Sequence, residues 1–197
     1  GRINPAVMYV AKKCKIKKII SVGGAQAIGS LAYIQKVDKI FGPGNDFVAR
    51  AKREVFGDVG IEGMIAGPSE ITVVADKLLD MSKVITSMIA QSEHGINSQS
   101  ILITKNEKLI KNINKKINIY LKKIPRKTIV IQSLKKNGLL ILAKNNQQII
   151  NIINMISPEH LELLSKDYKK LLSNIYNVGS IGLGIYSPVA ASDYNVG

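Results

Sequence analysis

Several classes of protein are excluded by what this chain has little of. A single cysteine, Cys14, stands in 197 residues. No disulfide can close within the chain, and a reducing compartment, the cytoplasm by default, is the expectation. No apolar run approaches the roughly 18 residues that a membrane span needs; the longest, around residues 149–156, is broken by Asn151 and Asn154. Arginine is scarce too. Of the 28 basic residues only Arg2, Arg50, Arg53 and Arg126 are arginine, although the net charge is +14. Proteins that read bases and phosphates favour the bidentate guanidinium fork. Here lysines are scattered over predicted helix surfaces and turns, with no aromatic-rich basic strand beside them. A basic nucleic-acid-binding module therefore ranks below a solvated basic surface, and the abundance of Lys, Ile and Asn reads as biased coding composition. There is no GxGxxG, no internal repeat and no low-complexity linker. The start, Gly1-Arg2-Ile3-Asn4-Pro5, has neither an initiator Met nor a signal-peptide pattern.

What is present reads as an α/β chain. A β-branched strand is expected over Lys17–Val22, and Gly23-Gly24 then turns into a helix at Ala25–Ile28. A second short strand, Lys39–Phe41, leads through Gly42-Pro43-Gly44-Asn45 into a helix over Asp46–Phe56. Strand, glycine turn, helix is the grammar of a parallel sheet. Ligands of such sheets sit beyond the strand carboxyl ends, where helix amino termini present their amides. Gln26 and Asn45 occupy those two turns, although the glycines can equally serve tight turns alone. Gly67-Pro68-Ser69-Glu70 punctuates the chain and marks a domain boundary, with residues 1–69 as one unit and 70–197 as another.

In the second unit a strand is expected at Ile71–Ala75, followed by a helix with a one-sided stripe of Leu78, Leu79, Met81, Val84, Ile85, Met88 and Ile89. Further strands are expected at Ser100–Thr104, Thr128–Gln132 and Leu139–Ala143. A helix carrying Leu109, Ile113, Ile117 and Leu121 is stopped by Pro125, and another spans Gln147–Ile156. The fold class is α/β, with Rossmann-like parallel sheets, flanking helices and two incomplete units.

The densest polar stretch, Gln91-Ser92-Glu93-His94-Gly95-Ile96-Asn97-Ser98-Gln99, closes the striped helix. Gln91 and His94 project from one helix face, and Gly95 is expected to end the helix in a left-handed conformation. A carboxamide beside an imidazole can grip a metal or a substrate; a helix end that is merely polar is the plainer alternative. The chain's two histidines each follow an acidic residue, in Glu93-His94 and Glu159-His160. An imidazole takes and returns protons near neutral pH, and a neighbouring carboxylate can activate water.

Six stretches together resemble the histidinol dehydrogenase family: SVGGAQAI (Ser21–Ile28), VDKIFGPGN (Val37–Asn45), AGPSE (Ala66–Glu70), QSEHGINSQ (Gln91–Gln99), SPEHLEL (Ser157–Leu163) and SDY (Ser192–Tyr194). They run in the family's order over essentially the whole chain. The resemblance implies oxidation of L-histidinol to L-histidine in two NAD-dependent steps through an aldehyde, by a homodimer that binds zinc. It implies that Gln26 and Asn45 contact NAD and that Ser69 contacts substrate. Gln91, His94 and Asp193 become zinc ligands that also touch substrate, with Glu159 and His160 the catalytic pair and His160 touching substrate as well. Glutamine is an uncommon zinc ligand, and its assignment rests on the resemblance alone. Family members extend beyond both ends of this sequence, with a further NAD contact upstream, and a second catalytic histidine and a fourth zinc ligand downstream. The expectation is therefore a central fragment, and an inactive relative of the family is the remaining alternative.

Overall fold

The computed structural model describes residues 3–62, 69–77, 80–165, 168–189 and 191. It divides into two compact units, Gly1–Gly67 and Pro68–Gly197, and each has its own core.

In the first unit, helix α1 (Pro5–Lys13) opens with proline at its first position, and the Asn4 side chain accepts a hydrogen bond from the Ala6 amide at 2.9 Å. Helix α2 (Gly24–Gly29) runs on into a π-helical turn at Ser30–Ile34. Strand β1 (Lys39–Ile40) pairs in parallel with β2 (Gly60–Ile61), and α3 (Asp46–Glu54) lies between them in sequence. Ile28, Ile40, Val55, Val59 and Ile61 form the core. The strand expected over Lys17–Val22 does not form. That stretch has no regular secondary structure, and Ile19, Ile20 and Val22 stay exposed. β-Branching alone does not make a strand where no partner edge offers a ladder.

The second unit is a five-stranded parallel sheet. Its strands are β3 (Glu70–Val74), β4 (Gln99–Thr104), β5 (Gly138–Leu142), β6 (His160–Leu163) and β7 (Ser180–Leu183), in the spatial order β5-β4-β3-β6-β7. Counted from β3, this is the doubly wound order in which strand succession reverses between the first and fourth strands, here β3 and β6. The central strands are buried on both faces, so they read as continuous apolar runs. Ile71, Val73 and Leu102 face a layer of α4 (Met81–Ser92), α5 (Glu107–Leu121) and α6 (Lys127–Asn137). Val74, Ile101, Ile103, Leu161 and Leu163 face α7 (Asn146–Ile156) and α8 (Tyr168–Leu172). The period-two alternation divides each strand between two helical layers.

The strand expected at Thr128–Gln132 is instead the first half of α6. A short apolar run cannot by itself distinguish a strand from a helix segment. Here Val130 and Ser133 are buried one turn apart, and the Ser133 hydroxyl donates to the Ser98 carbonyl at 2.8 Å, which suits a helix lying against the sheet. The abundant asparagine has a structural use: Asn45, Asn106 and Asn145 cap α3, α5 and α7 as Asn4 caps α1. Among the described residues no helix is long and apolar enough to cross a membrane.

Candidate functional site

The polar residues singled out in the second unit gather at the amino ends of the strands, on the side of the sheet opposite to the carboxyl ends where ligands of such folds are expected. Ser69 immediately precedes β3, and its carbonyl accepts from the Gln99 amide at 3.0 Å. Glu159 and His160 stand at the start of β6, and Ser180 begins β7. Helix α4 runs antiparallel to the strands and so delivers its last turn to the same end. The β3–β6 reversal lies directly between these groups.

At the carboxyl end of the sheet the chain bonds to itself. The Asp76 carboxylate accepts from the Lys105 amide at 2.9 Å and from the Ser165 hydroxyl at 3.3 Å, and Lys105 Nζ lies 3.5 Å from it. Lys105 Nζ also donates to Asn146 at 2.7 Å, and the Asn106 carboxamide donates to the Asp76 carbonyl at 2.9 Å.

At the amino end a cavity of about 170 Å³ is lined by Ser69, Gln91, His94, His160 and Glu162, with Ser87 and Val189 completing its wall. Gln91 is on the last turn of α4 and His94 lies just beyond it, where the His94 amide donates to the Gln91 carbonyl at 3.2 Å. That turn keeps the imidazole over the same face as the carboxamide. Gly95 is outside the left-handed region, contrary to expectation. The helix ends with Glu93 still in a right-handed conformation, so no left-handed glycine is needed to stop it. Its end is fastened to the sheet by the buried Ser100 hydroxyl, which donates to the Met88 carbonyl at 3.0 Å and lies 3.0 Å from the Ser92 hydroxyl.

Glu159 and His160 are held separately. Glu159 Oε2 accepts from the Glu70 amide at 3.2 Å, across the switch between β6 and β3. His160 Nδ1 is 2.7 Å from Ser180 Oγ, and its Nε2 is 3.7 Å from Glu159 Oε1. The close approach of β7 depends on Gly179, where an added Cβ would come within 2.6 Å of the Glu159 carbonyl oxygen. The His160 side chain remains 22% exposed, enough to meet a bound molecule. Sequence reasoning missed Ser180 and Glu162, because no local pattern announces a serine on the neighbouring strand or a carboxylate turned into the interior.

The donor set can be weighed against a zinc ion. Gln91 is only 5% exposed, and its carboxamide makes no hydrogen bond among the described residues. An amide oxygen and an imidazole nitrogen lining one cavity are donors that a divalent cation can share. Among the described residues no three His, Cys, Asp or Glu side chains cluster for a metal. Asp193, expected as the anionic ligand, lies outside the described residues.

In the first unit, Gln26 is exposed in the opening turn of α2. Asn45 follows β1 and caps α3, its side chain accepting from the Val48 amide at 3.1 Å. The turn before it is braced by Lys52, only 4% exposed, which donates to the Gly42 carbonyl and pairs with Glu62. The Glu62 carboxylate in turn accepts from the Gly42 amide at 3.2 Å.

Comparison with known proteins adds an independent line. The family model described as histidinol dehydrogenase matches residues 1–197. Histidinol dehydrogenase of Pelagibacter ubique is 55% identical over 201 residues, covering 100% of this chain and 47% of that protein. Its counterpart in Listeria monocytogenes is 44% identical over 199 residues, covering 99% and 46%. The crystal structure of histidinol dehydrogenase from Elizabethkingia anophelis superposes with a TM-score of 0.88 at 38% identity, over 98% of this chain and 46% of that one. The chain spans about half the length of the curated relatives it matches.

Proposed function

The chain belongs to the histidinol dehydrogenase family, and from that premise we propose that it serves the NAD-dependent oxidation of L-histidinol to L-histidine, the closing reaction of histidine biosynthesis. The observation that carries this reading is that His160 lines one cavity with Gln91 and His94, while Glu159 stands 3.7 Å from its ring and each of the pair has its own hydrogen-bond partner.

The chemistry has two oxidations. In the first, His160 takes the hydroxyl proton as hydride passes from the carbinol carbon to NAD, leaving the aldehyde. With Nδ1–H donating to Ser180, Nε2 carries the lone pair that receives the proton. In the second, water adds to the aldehyde carbon. Glu159, 3.7 Å from the His160 ring nitrogen, accepts the proton of that water. Hydride then leaves the hydrated carbon for a second NAD, and His160 again removes a hydroxyl proton to give the carboxylate. His160 returns its first proton to solvent before the second oxidation, so the steps consume two NAD⁺ and one water and release two NADH and three protons.

Ser69, at the cavity edge, positions substrate by its hydroxyl, while Gln26 and Asn45 present side-chain amides to NAD. Gln91 and His94, with Asp193, would hold zinc, which supplies a fixed positive centre for substrate and no redox chemistry. The test is NADH formation from L-histidinol by a chimera in which this chain replaces the matching segment of the Pelagibacter ubique protein. No NADH from a folded chimera overturns the reading.

A further inference from the structure

Among the described residues, Glu162 is the one carboxylate lining the cavity wall, the reaction above does not use it, and it is 2% exposed. Its side chain touches two other walls. Oε2 accepts from the Ser87 hydroxyl on α4 at 2.7 Å, and Oε1 accepts from the Val189 amide beyond β7 at 2.9 Å. Among the described residues no cation pairs with it. A carboxylate so far from water is costly unless its lone pairs are satisfied, and here the two donors come from two different elements.

The placement of those donors matters. Ser87 is four residues before Gln91, one turn down the same stripe of α4, and Ser87, Ala90, Gln91 and His94 all line the cavity. A bond that fixes Ser87 also fixes the rotation of α4 about its axis, and so the direction in which Gln91 and His94 point. Glu162 itself is two residues along β6 from His160, on the same strand face. We propose that Glu162 is a positioning residue, a clasp that sets the Gln91–His94 wall and the Val189 segment against the His160 wall. Orienting groups behind metal and substrate contacts commonly change affinity by about 10–100-fold when removed. The proposal rests on reading the cavity as the zinc and histidinol site.

The clasp differs from a simple charge requirement in what glutamine can do. At position 162 a carboxamide oxygen can still accept from the Val189 amide. Its nitrogen can donate to the Ser87 hydroxyl, which accepts as readily as it donates. Alanine can do neither.

The test uses the full-length chimera and three variants, with Zn²⁺ affinity measured by chelator competition and Val189 amide hydrogen exchange measured in parallel. Glu162→Ala should weaken Zn²⁺ binding about 10–100-fold and speed Val189 exchange, and Ser87→Ala should weaken binding several-fold. Glu162→Gln should stay within a few-fold of the wild type on both measures. Two results overturn the clasp: Glu162→Ala binding Zn²⁺ as tightly as the wild type, or Glu162→Gln falling as far as Glu162→Ala. If Glu162→Ala does not fold, Ser87→Ala with unchanged affinity overturns it equally. A wild-type chimera that takes up no Zn²⁺ defeats the zinc reading instead. Val189 exchange then decides the clasp by itself: faster exchange in Glu162→Ala alone supports it, and unchanged exchange overturns it.

Discussion

His160 and Ser180 face each other on adjacent strands, paired in register on the β6–β7 ladder, with Nδ1 and Oγ 2.7 Å apart. On the proposed mechanism the serine orients the ring so that Nε2 transfers the proton. Ser180→Ala should lower turnover about tenfold, the value of one orienting hydrogen bond. His160→Asn removes the base itself and should cost about 10²–10⁴-fold while bound zinc stays at the wild-type level. Steady-state kinetics with metal analysis checks both. Zinc loss in step with activity would show that His160 acts through the metal site.

Glu159 is assigned to the second oxidation only. Its carboxylate is held by the Glu70 amide at 3.2 Å, which glutamine can still satisfy through its carbonyl oxygen. Glu159→Gln should therefore slow oxidation of the aldehyde far more than oxidation of the alcohol, since hydration precedes only the former. Single-turnover measurements started from histidinol and from histidinal separate the two. Equal losses would remove the assignment.

Asn45 has two possible tasks, and one variant separates them. Because its side chain caps α3, alanine would cost about 1 kcal/mol of helix stability and blur any effect on cofactor binding. Asn45→Ser keeps a cap and discards the carboxamide. It should raise the KM for NAD more than that for histidinol, as should Gln26→Ala in its exposed turn. A rise confined to the histidinol KM would refute the cofactor role.

Acid should loosen the first unit through Glu62. The hydrogen bond from Lys52, then the charge of Lys52, holds the Glu62 carboxyl below the ordinary carboxylate range. A lowered folded value stabilises the unit above the unfolded value of about 4.3, and the contribution is lost as pH falls through the folded value. Urea unfolding midpoints should drop on acidification below about pH 4 in the wild type. Glu62→Gln should be less stable at neutral pH, because Lys52 is then buried without its counter-ion, and should lack that part of the acid limb. An unchanged acid dependence would contradict the pairing.

The legible parts of the sequence were those set by local pattern. The apolar stripe of α4 and the runs in β3 and β4 announced themselves because burial on both sheet faces leaves little but Ile, Leu and Val. Illegible were features decided by distant partners. Residues 17–22 look like a strand but meet no edge, and residues 128–132 look like one but lie as a helix against α4 and β4. Carboxyl-end binding is the rule for such folds, whereas the cavity lined by Gln91, His94 and His160 lies at the amino end of the second unit's sheet, something only the folded sheet reveals. Gln91 with His94 and Glu159 with His160 stood out as polar pairs, and their proposed roles came from the resemblance. Ser180 and Glu162 needed the sheet.

The most direct measurement is the stoichiometry of NADH formed from L-histidinol by the full-length chimera, run to completion with excess NAD. Two-step oxidation through a retained aldehyde predicts that NADH formed is twice the histidinol consumed, with L-histidine as the product. One NADH per histidinol with free aldehyde accumulating, or no NADH from a folded protein, would contradict the assignment of Glu159 and His160 as the catalytic pair.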